Sequence, residues 1–400
     1  MLQRHSAASA RTGLEYNLRL YAWMKTFTKR VYFPVISIML VSDAHLTIEQ
    51  IAFIGASAAV VQGILQLPTG YVADKLGNRK TMLFGAILSL PATLFYVFFP
   101  SFWGGLAGLV FYTIGMAFIT GAAEALVYDT LFSLERTKDY AKEVGRAQSI
   151  ALGGNFVLIA LVPLTYALDH RLPFVIGFVC AILLAVSIAK MVEPDRHGAV
   201  TKMSPLDAMQ KVLTWKNVSL FIFAGLTGGF VERAMDFLTL SLVGVGIPPS
   251  LTGLVVAISS IIGAVFGWYV FIFDRLKPTT FYLADLVLIC LLFGLQGVSN
   301  PVIVVACFIL FLGYVRVRYI VFQSKLFADI DHGYKATLIS ALSLFAVLGG
   351  VFTMLVFGKL STIFGLSQAL QYFAVILFVV GLLLLLLVVT SRNARIKPHA

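Results

Sequence analysis

Residues 70–83 read GYVADKLGNRKTML, a polar turn set between two long apolar runs. Its two glycines, Gly70 and Gly77, permit a tight turn and a close approach of backbone. Asp74, Lys75, Arg79 and Lys80 place charges of both signs in the same short stretch. A turn this short joins two neighbouring apolar segments. Its basic content assigns it to the cytoplasmic face of a membrane.

Composition extends that reading to the whole chain. Of 400 residues, 59% are hydrophobic and 12% charged, and the mean hydropathy is +0.92. A soluble protein carries about a quarter charged residues. The apolar residues fall in runs of roughly 20, the length that crosses about 30 Å of hydrocarbon as a helix. A β-barrel shows short alternating segments instead. The expected fold is therefore an all-α polytopic membrane protein. Twelve transmembrane helices are expected, near 18–42, 49–72, 81–100, 104–130, 144–167, 172–192, 217–244, 250–273, 279–298, 301–325, 336–358 and 367–390. A polar stretch at 193–216 separates a six-helix half, 18–192, from a second, 217–390, with tails at 1–17 and 391–400.

The net charge is +11 and the pI about 9.5. In a membrane protein such a surplus collects in cytoplasmic loops, and no nucleic-acid motif competes with that explanation. Of the 30 lysines and arginines, six lie deep in spans and two in the outer turns; the remaining 22 lie in the tails, in the other loops or at span ends beside them. That imbalance puts both termini in the cytoplasm. No apolar leader with a cleavage site opens the chain. Outer turns as short as FPSFWGG (99–105) and VGIPPS (245–250) leave no room for an outer domain. The three cysteines sit in apolar runs and the six histidines outside them, so neither a disulfide framework nor a metal site is expected. No cofactor and no enzymatic constellation is read.

The spacing G-x-x-x-D-K-x-G-x-R-K resembles the loop 2–3 signature of the major facilitator superfamily. Gln66-Leu67-Pro68-Thr69, just before it, is similar to the end of span two in many bacterial members. GAAEALVYDTL (121–131) resembles a span-four sequence recurrent in the bacterial drug-efflux-like permeases of that superfamily. The resemblance covers the whole six-plus-six plan. It implies two halves around a central cavity, and a cytoplasmic gate in which Gly70, Asp74, Gly77, Arg79 and Lys80 act with Asp129 of span four. In VFIFDRLKPTT (270–280), Asp274 and Arg275 are a trace of the same motif, which fits an ancient parallel repeat. Two departures stand against proton-driven antiport. Span five has ALGGNFVLIALVPL in place of the antiporter signature, and LVFYTIGMAFITG of span four lacks an arginine.

In that fold spans 1, 4, 7 and 10 line the cavity, and most deep charges fall on them. Ionisable residues inside a membrane are functional candidates by default. In span one, Lys25 and Lys29 are one helical turn apart, with Arg30 about 100° round from Lys29. The run 31–41 is too short to cross alone, so the span includes 20–30 and carries Lys29 and Arg30 to mid-depth. Lys25 either lines the cavity or reaches the interface along its stem. Glu124 in span four, at the depth of Lys25, reads as a salt-bridge partner or a protonation site. Span seven carries Glu232, Arg233 and Asp236. Span ten carries Arg316 and Arg318, about 200° apart, with Tyr319 as an aromatic wall. Ion pairing between spans seven and ten is expected, either structural or functional. Asp285, in peripheral span nine, reads as a packing acid.

Six deep cations against three acids give a positive surplus that attracts anions. The expected function is secondary transport by alternating access of a small organic solute, anionic or amphipathic with an acidic group. The alternatives are a proton-coupled multidrug efflux antiporter and a lipid-headgroup flippase. The expected partners are a small-molecule substrate, a proton as coupling ion and the lipid bilayer. A monomer in the bacterial cytoplasmic (inner) membrane is expected.

Overall fold

The computed structural model of the chain describes residues 2–65, 68–194, 215–327 and 335–393, and their side chains except for 2–10, 68, 70, 215–217, 274, 323, 326–327, 335–341 and 391–393. Among the described residues there is no strand. The helices are α1 (Leu2–Phe27), α2 (Phe33–Ser42), α3 (Ile48–Leu65), α4 (Pro68–Leu76), α5 (Asn78–Ser89), α6 (Pro91–Phe98), α7 (Phe102–Ser133), α8 (Tyr140–Leu161), α9 (Leu172–Ala189), α10 (Trp215–Gly244), α11 (Thr252–Trp268), α12 (Val270–Asp274), α13 (Pro278–Gly294), α14 (Pro301–Phe327) and α15 (Lys335–Asn393). Hydrocarbon offers no hydrogen bonds to a backbone, so a crossing segment closes its own as a helix. Among the described residues ten helical segments are long and apolar enough to cross, and α2 is a shorter apolar helix.

The helix ends follow local chemistry. Thr47 and Gln50 exchange side-chain and backbone bonds at 3.2 and 2.9 Å, a capping box that starts α3. The Ser101 hydroxyl accepts from the Gly104 N–H at 3.2 Å ahead of α7. Asn300 Oδ1 accepts from the Val302 and Ile303 N–H groups ahead of α14. Prolines stand in the first turn of α6, α9 and α13, where a missing N–H costs nothing. The 59-residue α15 bends at Gly365, whose φ of 76° only glycine adopts readily.

The chain forms two compact units, one of Met1–Ile36 with Val61–Val200, the other of Ser37–Val60 with Thr201–Ala400. In the first unit, Leu20, Tyr21 and Met24 of α1 pack with Met82 of α5, Ile119 and Leu126 of α7 and Ile188 of α9. α5 and α7 approach at Gly85 and Gly115: a Cβ on either would lie 2.5 Å from the other's carbonyl oxygen. Small residues at a crossing are the usual means of close packing between membrane helices. In the second unit, Phe230, Phe293, Phe357 and Phe373 pack ring on ring at 4.9–6.1 Å. There the end of α2 and most of α3 lie against α10 and α15. Ser37 Oγ donates to the Asp236 carbonyl at 2.6 Å, and Thr362 Oγ1 donates to Glu49 at 2.7 Å. Large apolar side chains such as Ile64, Trp103, Leu168 and Trp268 are exposed, as a surface facing lipid requires.

Candidate functional site

The signature turn is built in the first unit. α4 ends at Leu76, and Gly77 turns the chain with φ 105° into α5. That value excludes most side chains, and a Cβ there would also stand 3.1 Å from a Glu193 oxygen. Glu193 follows span six in sequence. Its carboxylate accepts the Asn78 and Arg79 backbone N–H groups at 2.7 and 2.8 Å, covering the open donors and positive end of α5. Asn78 Nδ2 donates to Asp129 Oδ2 at 3.1 Å, and Asp129 is buried. Arg79 donates to the Ala189 carbonyl at 2.6 Å. The turn, span four and the end of span six are thus tied together. Asp74 and Lys80 are exposed, and Lys75 lies over the Tyr71 ring at 4.6 Å. The surroundings of Gly70 and Asp274, and Gln66 with Leu67, lie outside the described residues.

Glu193 and Asn78 are absent from the sequence reading. The sole signal for Glu193 is an acid placed directly after a span, on the basic side of the chain. Its partners are 114 and 115 residues away. Glu193→Ala is expected to lower stability by about 1 kcal/mol, the usual value of an N-terminal cap, because water replaces part of what an exposed carboxylate gives. Thermal unfolding in detergent checks this. Glu193→Gln is expected to fall between alanine and wild type.

The first span is interrupted. Helix α1 stops at Phe27, Thr28–Tyr32 are not helical, and α2 starts at Phe33. The cause is Pro34, which has no N–H to give the Arg30 carbonyl and whose ring crowds it. Phe33 N–H bonds that carbonyl instead, at 3.0 Å. Lys25 and Lys29 therefore do not share a continuous helical face, which corrects the sequence expectation. Lys25 is in the last turn of α1, where a cation complements the helix end, and its Nζ sits 5.3 Å over the Tyr21 ring. Lys29 is exposed. Arg30 is half-buried, with its guanidinium 4.9 Å over the Tyr112 ring and 5.3 Å over Phe33. Tyr112 donates its hydroxyl to the Thr28 carbonyl at 3.2 Å, covering one of the carbonyls the break leaves open. Beside the break is a cavity of about 30 Å³ lined by Arg30, Ser89, Thr93 and Tyr112, room for one water. Thr93 Oγ1 is buried with no hydrogen-bond partner among the described residues.

Glu124, on α7, is exposed and within electrostatic reach of Tyr21 and Tyr140. Among the described residues it forms no ion pair with Lys25, against the salt-bridge expectation. In the second unit, Glu232 is exposed and Arg233 and Asp236 are half-buried on α10. The acid that meets Arg318 of α14 is not one of these. Arg318 Nε donates instead to Asp285 Oδ1 on α13 at 2.7 Å, and its NH2 donates to Thr227 Oγ1 at 2.8 Å. Tyr314 adds its hydroxyl to the same carboxylate oxygen at 2.8 Å. Asp285 is fully buried and Arg318 is 5% exposed. Arg316, on the opposite side of α14, donates to Ser260 on α11 at 2.8 Å, and Tyr319 is exposed.

Apolar helices of crossing length, with charges inside the apolar runs and a charged turn between two of them, define a polytopic membrane protein. The family model of the Major Facilitator Superfamily matches residues 20–326, and the chain belongs to that superfamily. It is 21% identical over 369 residues to YxaM of Bacillus subtilis (strain 168), described as an uncharacterized MFS-type transporter, covering 87% of this chain and 90% of that one. Among solved structures, the nucleoside transporter NupG is similar with a TM-score of 0.79 and 14% identity, over 94% of this chain and 98% of that one. A bacterial homolog of the human lysosomal transporter Spinster, in an inward-facing and unoccupied conformation, has a TM-score of 0.71 and 15% identity, over 95% and 96%. The POT family transporter PepTSo has a TM-score of 0.71 and 12% identity, over 97% and 99%.

Proposed function

We propose that this secondary transporter carries a small organic anion, or an amphipathic molecule with an acidic group, by alternating access. The observation that carries the proposal is the interruption of the first span at Lys29 and Arg30. A broken span places a helix N-terminus inside the membrane, and half-helix N-termini in transporters point at anionic groups. The positive end of α2 and the two cations beside it act in the same direction. Arg30, flanked by Tyr112 and Phe33, offers a planar fork suited to carboxylate or phosphate with apolar walls next to it. We read α1 with α2 as one crossing and the bent α15 as two. With α3–α4, α5–α6 and α11–α12 each taken as single crossings, that makes twelve. The basic imbalance orients both termini to the cytoplasm. NupG, named as a nucleoside transporter, and the POT family peptide transporters support a small polar solute as cargo, without fixing its charge.

The test is flux into liposomes holding the purified protein. Aromatic carboxylates are expected to move faster than lipophilic cations of the same size, and to compete with one another. Equal movement of both classes overturns the proposal. A second reading, proton-coupled efflux, draws on Glu124, an exposed carboxyl without an ion-pair partner among the described residues. On that reading, substrate addition drives a proton flux that Glu124→Gln abolishes. An unchanged flux in the variant removes the reading.

A further inference from the structure

The first unit holds a second cavity, well along α1 from the interruption. It has a volume of about 320 Å³ and is lined by Arg19, Trp23, Arg146 and Ile150, with Ala22 and Ala147 between the helices. Register explains it. On α1 and α8, Thr26 packs on Gly154 so tightly that a Cβ on Gly154 would lie 2.5 Å from the Thr26 methyl. Residues 22 and 147, one to two turns back along the same helices, are alanines, and the space they leave unfilled is the cavity.

Its chemistry is one-sided. Arg19 and Arg146 are exposed and form no ion pair among the described residues. The acid on the wall, Glu143, is already held: Arg136 donates to it at 2.8 Å and to Asp139 at 2.9 Å. The hydrogen bond to Asp139, with that to Glu143, pushes the ionisation of Arg136 upward. Two guanidiniums are thus left to face the cavity's occupant. Trp23 is 55% exposed and stacks on Phe27 at 6.0 Å, giving the cavity an apolar side with one N–H donor. Guanidinium forks match phosphate oxygens in two-point geometry, and tryptophan suits the boundary between headgroups and chains.

We propose that this cavity binds the phosphate ester head of an anionic amphiphile, with Arg19 and Arg146 gripping the phosphate and Trp23 and Ile150 covering its first methylenes. The space fits a headgroup and a short length of chain. Such an occupant ties α1 to α8 and so steadies the helix that carries Lys29 and Arg30 just beyond its far end. The site stands apart from the substrate reading and does not need the cargo to be an anion.

The test uses the full chain in nanodiscs of phosphatidylcholine. Phosphatidylglycerol with brominated chains is titrated in, with brominated phosphatidylcholine as control. Trp23 emission is isolated by subtracting the Trp23→Phe variant. Phosphatidylglycerol is expected to quench Trp23 at several-fold lower mole fraction than phosphatidylcholine and to raise the melting temperature. Arg19→Gln with Arg146→Gln is expected to raise the half-effect mole fraction about tenfold, the factor for losing 1.4 kcal/mol of binding. Arg19→Gln alone, at an exposed position, reads the same effect if the double variant folds poorly. Glycerol phosphate distinguishes the source. If it raises the melting temperature through the two arginines while the lipid does not, the phosphate site stands and its ligand is a soluble ester. Equal quenching by the two lipids with no response to glycerol phosphate, or unchanged titrations in the arginine variants, overturns the proposal.

Discussion

Replacing Asp285 by alanine is expected to destabilise the protein by about 3–5 kcal/mol, the usual result of removing one partner of a buried ion pair. The carboxylate is fully buried and accepts from both Arg318 and Tyr314. Without it, the Arg318 charge stays inside the second unit with Thr227 Oγ1 and the Phe322 ring, at 2.8 and 4.9 Å, for company. Whole domains are stable by only about 5–15 kcal/mol, so such a loss reaches a large share of the total. Little monodisperse protein, melting far below wild type, is the expected outcome in detergent. The double change Asp285→Leu with Arg318→Met is expected to recover most of the loss, since a well-packed apolar pair replaces a buried ion pair at little cost or with gain. A single variant that melts as wild type does would show that the pair contributes nothing.

Arg30→Ala is expected to raise the substrate concentration for half-maximal flux about ten- to a hundredfold. A hydrogen bond to a charged group contributes about 1.5–3 kcal/mol, and each 1.4 kcal/mol is a factor of ten. Arg30→Lys keeps the charge but loses the planar fork and its stacking on Tyr112, so it is expected to recover part of the affinity. Thermal unfolding separates this from a structural role. If Arg30→Ala lowers the melting temperature and leaves the flux of folded protein intact, Arg30 holds the break in shape and does not bind cargo.

Most of the fold is legible in the sequence, because hydrocarbon imposes one rule on every crossing segment. Among the described residues, nine of the ten helical segments long enough to cross follow single apolar runs, the tenth, Leu342–Thr390, takes in two, and the Gly77 turn stands where the signature puts it. The interruption at Thr28–Tyr32 was not read from the sequence, which took 18–42 as one continuous span. Pro34 removes the bond that a continuous helix needs at Arg30, yet hydropathy alone reads straight through it. The partners of the deep charges were not legible. Helical angles separate Arg316 from Arg318 correctly, but angles do not say which neighbouring helix each side meets. Span nine supplied the acid for Arg318, and span eight the hydroxyl for Arg316. Nor does any local pattern link Glu193 to the N-terminus of α5.

The sequence by itself determined a helical membrane protein, its glycine-dependent turn and a surplus of cations within its apolar runs, and the resemblance of its loop signature pointed to the Major Facilitator Superfamily. The first three are properties of composition, period and spacing, which act over a few residues. The tertiary structure alone decided where Arg318 is neutralised, which carboxylate closes the signature turn, and where α1 and α8 leave a cavity. Those outcomes depend on contacts between residues tens to more than a hundred positions apart, where shape and the high cost of an unpaired buried charge choose the partner.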